Sequence, residues 1–213
     1  MIVSKIVKKD AKNVIVKFDN DEQLILSVDV FMQSGLKKND EISEDRFSAL
    51  IQENILFHIK QRAFRYLGRR LYSKKELRTK LLQKKYDKNL IDKVIDYLEE
   101  KDYLNDKAFA AAFVKDKIIL KKWGEQKLKS ELIKKGIHPD VISGVLSEQL
   151  SEEVLLENLR DIAEKKYETL IARGKDKDKD YVKQKLITFL KSRGYNYEAI
   201  KHVCDEILND EIQ

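Results

Sequence analysis

One proline, one cysteine, one tryptophan and seven glycines in 213 residues leave this chain few of the usual structural staples. A lone cysteine, Cys204, permits no disulfide within the chain, so packing must supply the stability. A lone proline leaves almost the whole length free to be helical, and the 38% charged fraction suits long solvated helices. No apolar run approaches the ~18 residues of a membrane span. The opening residues, which include Lys5, Lys8 and Lys9, lack the apolar centre of a secretory signal. A cytoplasmic protein with no membrane partner is the expectation.

Reactive chemistry is equally sparse. Neither a G-x-x-x-x-G-K-[ST] loop nor a G-x-G-x-x-G turn occurs, so neither common nucleotide cradle is present. His58, His138 and His202 are scattered, and none has a Cys or His neighbour at metal-ligand spacing. The run Asp176-Lys177-Asp178-Lys179-Asp180 imitates the start of a calcium loop. It fails where Tyr181 replaces the required glycine and where Ile187 replaces the bidentate glutamate. With Gly174 it reads as a connector. The many carboxylates fall on outer helix faces with nothing to raise a pKa. No catalytic residue, metal or cofactor is expected, and no enzymatic activity.

What the chain does contain is a repeat. Leu77, Leu81 and Ile91 return 51 residues later as Leu128, Leu132 and Ile142, and after a further 58 as Leu186, Leu190 and Ile200. A period of this size marks one helical unit used three times, each copy too small to bury a good core alone. Ser73 and Glu76 have capping-box spacing before the first apolar face. Asp87, His138 and Asn196 share one register and open the following helix, with Pro139 at a first helical position that tolerates it. Gly136 and Gly194 suit the left-handed residue that closes the preceding helix. A further amphipathic helix precedes each pair, near residues 51–70, 106–121 and 152–173, making three helices per repeat. Asp106 is the expected N-cap of the second of these, and Tyr103, Leu104 and Phe109 are expected to pack between the first two repeats.

The N-terminus follows another period. Residues 2–7, 13–18 and 23–28 alternate β-branched and polar side chains between Lys/Asp/Asn turns, which predicts a three-stranded meander. Asp19-Asn20-Asp21 fits a hairpin turn, Asp29 to Gly35 a single helical turn, and Leu36 to Ile42 a return stretch. The expected architecture is mainly α. A small β module over 1–48 precedes three-helix repeats over 49–104, 105–150 and 151–213, stacked as an elongated curved array.

Net charge is +6, unevenly spread. Residues 55–136 carry +12, against −2 before them and −4 after. Such a centre attracts polyanions or acidic protein surfaces. For any single lysine a solvated helix face is the simpler account; the cluster as a whole lacks compensating acids. The candidate contacts are Arg65, Arg69, Arg70, Lys74, Lys75, Lys84, Lys85, Lys121 and Lys122, with Trp123 able to stack if exposed.

Two segments carry a family pattern. Ala63, Tyr66, Leu67, Arg70, Ser73, Glu76, Leu77, Lys80 and Leu81 fill an A-x-x-[FY]-L-x-x-R-x-x-S-x-x-E-L-x-x-K-L stretch. Leu98, Tyr103, Leu104, Asp106, Phe109 and Ala110 follow in an L-x-x-x-x-Y-L-x-D-x-x-F-A stretch, and Gly124, Leu132, Gly136 and Ile137 continue it. Over residues 51–208 the chain resembles the RecX family of recombination regulators, although Val182 stands where the third copy would repeat Gly124. The resemblance implies arrays of three-helix repeats that lie in the groove of RecA filaments on single-stranded DNA. There they inhibit ATP hydrolysis, strand exchange and co-protease activity, and so modulate recombination, DNA repair and the SOS response. A monomer whose own contact with single-stranded DNA is weak and non-specific is the expectation. The competing reading is a DNA-binding protein whose tri-helical units act as helix-turn-helix modules. Against it, the third helices, near 89–98 and 140–150, are poor in basic residues for a major-groove reader.

Overall fold

The computed structural model describes residues 1–172 and 179–209, the side chain of Asn209 excepted. The calcium-loop-like run and its connector lie largely outside the described residues, as does Arg173. Three strands, β1 (Val3–Lys8), β2 (Asn13–Phe18) and β3 (Gln23–Ser27), are followed by a short helix α1 (Val28–Ser34). Among the described residues nine longer helices come next in threes: α2 (Glu44–Leu67), α3 (Lys74–Leu82) and α4 (Lys88–Glu100); α5 (Asp106–Lys121), α6 (Glu125–Lys134) and α7 (Pro139–Gln149); α8 (Glu152–Ile171), α9 (Lys179–Ser192) and α10 (Tyr197–Asn209). The chain divides into two compact units, Met1–Arg70 with Leu77–Tyr103, and Leu71–Glu76 with Leu104 onward.

In the first unit the meander is antiparallel in the order β1-β2-β3. Val14 pairs with Leu26 and Val16 with Leu24, so alternation puts these side chains on one face, over a core shared with Val30 and Leu50. The hairpin turn forms with Asp21 at φ +64°. The return stretch closes on β1, where the Val3 amide donates to Asp40 O and the Asn39 amide to Val3 O. The helix expected from about residue 51 begins earlier, at Glu44. Ser43 caps it by accepting from the Arg46 amide at 3.1 Å. Its first turns belong to the sheet, because Phe47 meets Phe18 edge-on and Asn54 bonds the Ser27 amide and Ile25 carbonyl of β3. Further along, Ile59 and Ala63 of α2 are buried, as are Leu77, Leu81, Ile91, Val94 and Leu98 of the next two helices. Asp87 caps α4 through the Asn89 and Leu90 amides, and a paired Arg78–Asp92 contact ties α3 to α4.

The second unit holds the other six helices over two separate cores. Phe109, Val114, Leu128, Leu132, Ile142 and Val145 form one, and Leu159, Val182, Leu186, Leu190, Ile200 and Cys204 the other. His138 and Asn196 cap α7 and α10 by accepting from Asp140 N and Ala199 N. The cap expected at Asp106 is supplied by Asn105, which accepts from the Ala108 amide at 3.0 Å. Asp106 turns instead to the Lys74 amide at 2.9 Å, satisfying an orphan donor where α3 begins. Leu104 and Phe109 are buried as expected, whereas Tyr103 is 56% exposed and lies edge-on to Phe64 in the first unit. A residue with a polar hydroxyl tip can stay at the rim while its ring packs.

The glycines explain how the copies join. Gly136 and Gly194 have φ +81° and +90°, and each is covered by the helix start of the preceding copy. A Cβ on Gly136 would lie 2.7 Å from Lys75 Cβ, and one on Gly194 only 2.3 Å from the Lys127 amide nitrogen. The register partner in the first copy is Lys85, also left-handed at φ +61° but exposed. There the backbone requirement stands without the close approach, so a side chain is tolerated. Lys85→Gly is expected to raise stability by about 1 kcal/mol, since a non-glycine left-handed residue costs roughly that much. A urea midpoint that falls instead would show that the Lys85 side chain is needed for the fold.

Candidate partner interface

The ten basic and aromatic candidates divide equally between the units. Arg65, Arg69, Arg70, Lys84 and Lys85 are in the first, all exposed. Arg65 sits in the last turn of α2, where the helix dipole favours a cation, and Arg69 just beyond the Gly68 cap. Lys84 and Lys85 follow the end of α3. Among the described residues Arg65, Arg69, Lys84, Lys85 and Lys121 take part in no ion pair, so their charge is uncompensated at short range.

In the second unit the candidates form two groups at opposite ends of α6. Lys74 and Lys75 lie beside the Lys135–Gly136 turn, where Ser73 donates its hydroxyl to Lys135 O at 2.7 Å and Lys135 Nζ meets Glu76 at 2.6 Å. The capping box is half as predicted, for the Glu76 amide does donate to Ser73 Oγ at 3.1 Å, while the Glu76 carboxylate receives Lys135. Lys121, Lys122 and Trp123 precede the other end, ten residues or roughly 15 Å away along the helix. Lys122 adopts φ +48° as the cap of α5, and its ammonium is held by Asp161 of α8. Hydrogen bonds from Lys122 and then Lys165 hold the Asp161 carboxyl below the usual carboxylate range. Lys122 thus joins repeat two to repeat three, leaving Lys121 as the exposed charge.

Trp123 is half-buried against Phe113, at 6.1 Å between ring centres, so it packs as much as it presents a face. Two lysines outside the candidate set approach its ring, Lys127 at 5.1 Å and Lys117 at 5.7 Å. The signal for Lys127 was its position one helical turn after the tryptophan.

Among the described residues no group of three or more His, Cys, Asp or Glu side chains could hold a metal ion, and no helix is long and apolar enough to cross a membrane. Burial pushes the Cys204 thiol up to about 11, which disfavours the nucleophilic thiolate. Burial likewise raises Tyr195 to about 12, and its hydroxyl is spent on Lys122 O at 3.0 Å. His58 and His202 are both exposed; His202 faces Glu206 at 3.1 Å.

Comparison with known proteins agrees with this architecture. Family models for the first, second and third three-helix domains of RecX match residues 60–98, 105–146 and 152–204. The chain is 33% identical over 208 residues to the regulatory protein RecX of Clostridium botulinum (strain Eklund 17B), covering 98% of this chain and 96% of that one. It is 32% identical over 204 residues to its counterpart from Clostridium acetobutylicum, covering 95% and 92%. A crystal structure of regulatory protein RecX superposes with a TM-score of 0.78 at 21% identity, over 96% of this chain and 98% of that chain. That of RecX from Lactobacillus salivarius gives 0.62 at 24% identity, over 72% and 97%.

Proposed function

Because the chain belongs to the RecX family of regulatory proteins, we propose that it is a non-enzymatic, cytoplasmic, monomeric regulator of RecA. It binds RecA filaments on single-stranded DNA and inhibits ATP hydrolysis, strand exchange and co-protease activity, restraining recombination and repair. The observation that carries this reading is the +12 surplus of residues 55–136, displayed on repeated helices. Exposed, uncompensated arginines and lysines gain by meeting acidic protein surfaces or phosphates. Any direct contact with DNA is weak, non-specific and steeply salt-dependent, because phosphate contacts carry no base information.

The third helices support this choice over sequence-specific DNA reading. Asp92, Asp96, Glu99 and Glu100 populate α4, and Asp140 and Glu148 α7, which a phosphate-lined groove would repel. The test is a titration of RecA ATPase on single-stranded DNA. The expected result is inhibition at substoichiometric amounts of this protein, and unchanged hydrolysis at saturation would refute it.

A further inference from the structure

The helix N-termini of α6, α8 and α10 converge on one cleft between repeats two and three, and each brings a glutamate: Glu125, Glu152 and Glu198. The cleft has a volume of about 360 Å³. Its floor is apolar, made by Leu155, Leu156 and Ala199 over the buried Leu159. A second depression of about 260 Å³ shares Glu125, Glu152 and Leu155 with the first and extends it over Leu146 and Leu150, with Lys129 as its one basic residue. Together they form a groove with an apolar floor, polar walls that include Gln126, Asn196, Ser143 and Ser147, and an acidic rim.

The three glutamates are exposed, and none forms an ion pair among the described residues. Each helix N-terminus favours a carboxylate in its first turn, which keeps the acids in place at no cost to the fold. The dipoles offset only roughly half a charge apiece, so the rim stays negative. This is the opposite sign from the basic centre and lies on different helices from most of it. An apolar floor with uncompensated carboxylates above it matches an amphipathic helix whose leucine-type anchors face down and whose lysines or arginines face the rim.

We propose that this groove is a second docking site, which takes a lysine- or arginine-bearing amphipathic segment of a partner protein. Charge complementarity selects the occupant. An acidic segment is repelled by all three glutamates, and a small uncharged ligand leaves them unpaired.

The full-length protein alone suffices for the test, with no recombinase present. A fluorescent peptide with leucines at helical i, i+3, i+4 and i+7 spacing and lysines elsewhere is titrated by anisotropy, alongside a version with glutamate for lysine. The lysine peptide is expected to bind and the glutamate peptide not to. The triple variant Glu125→Gln, Glu152→Gln, Glu198→Gln, checked for an unchanged circular dichroism spectrum, is expected to bind the lysine peptide about tenfold more weakly. Amide chemical shifts should move at Leu155, Tyr195 and Ala199. Equal binding by the triple variant, or shifts confined to other repeats, overturns the proposal. So does concentration-dependent self-association that the triple variant abolishes, since a second copy then fills the groove.

Discussion

Replacing Gly194 by alanine is expected to lower the melting midpoint of the full chain by roughly 10 °C, for a loss of about 3 kcal/mol. Two costs combine. At φ +90° any Cβ is strained by about 1–2 kcal/mol. The same Cβ would lie 2.3 Å from the backbone nitrogen of Lys127, an atom that cannot swing aside as a side chain can. Relief requires repeats two and three to part, which breaks the Gly124 N–H bond to Arg193 O at 2.9 Å and the Gln126 N–H bond to Gly194 O at 3.1 Å. Overpacking of this kind typically costs a further 1–3 kcal/mol. Gly124→Ala should incur the second cost alone, since its φ is −77° but its Cβ would meet Gly194 O at 2.5 Å. Gly144 is the control, because a Cβ there meets nothing within 4 Å and the residue is helical. Gly144→Ala is therefore expected to hold or gain stability, by up to about 1 kcal/mol. A Gly194→Ala protein melting within about 2 °C of the parent would show that the junction yields and that these glycines are not what joins the copies.

The second large effect concerns binding. Reversing Arg65, Arg69, Lys84 and Lys85 to glutamate is expected to raise the half-inhibitory concentration against RecA ATPase by roughly 30-fold. That follows from about 0.5 kcal/mol for each exposed charge, or about 2 kcal/mol together. These four are chosen because they are exposed and form no ion pair among the described residues, so reversal breaks no salt bridge there. The companion variant reverses Lys74, Lys75 and Lys121 in the second unit. Glutamate keeps the Cβ and Cγ that Lys75 lays against Gly136, and the Lys74 amide bond to Asp106 does not depend on the side chain replaced. If both variants fold and inhibit like the parent, the basic centre is not the contact and the proposed mode of binding fails.

Much of this molecule could be read from residue order, and the reasons are local. A leucine register repeated at 51 and 58 residues forces three copies, because an amphipathic helix pair must bury the same stripe each time. Caps at Asp87, His138 and Asn196 were legible because an Asx or imidazole acceptor satisfies its own helix two or three residues on. The meander was legible from its period of two. Features that depend on non-neighbours were not. Asp106 looks like a cap in one dimension, yet Asn105 takes that role once the Lys74 amide, 32 residues away, offers Asp106 a better partner. Tyr103 carries a core motif but stands at the rim. Lys122 reads as one more surface cation until Asp161 arrives from another repeat.

Chain order therefore dictated the number of repeats, their helices and the sign of their charge, since periodicity and composition act through near neighbours. Folding chose which cations stay unpaired, why Gly136 and Gly194 but not Lys85 must lack a side chain, and where three acidic helix starts meet. Those outcomes depend on distances between residues far apart in the chain, and such distances exist only once the repeats have packed.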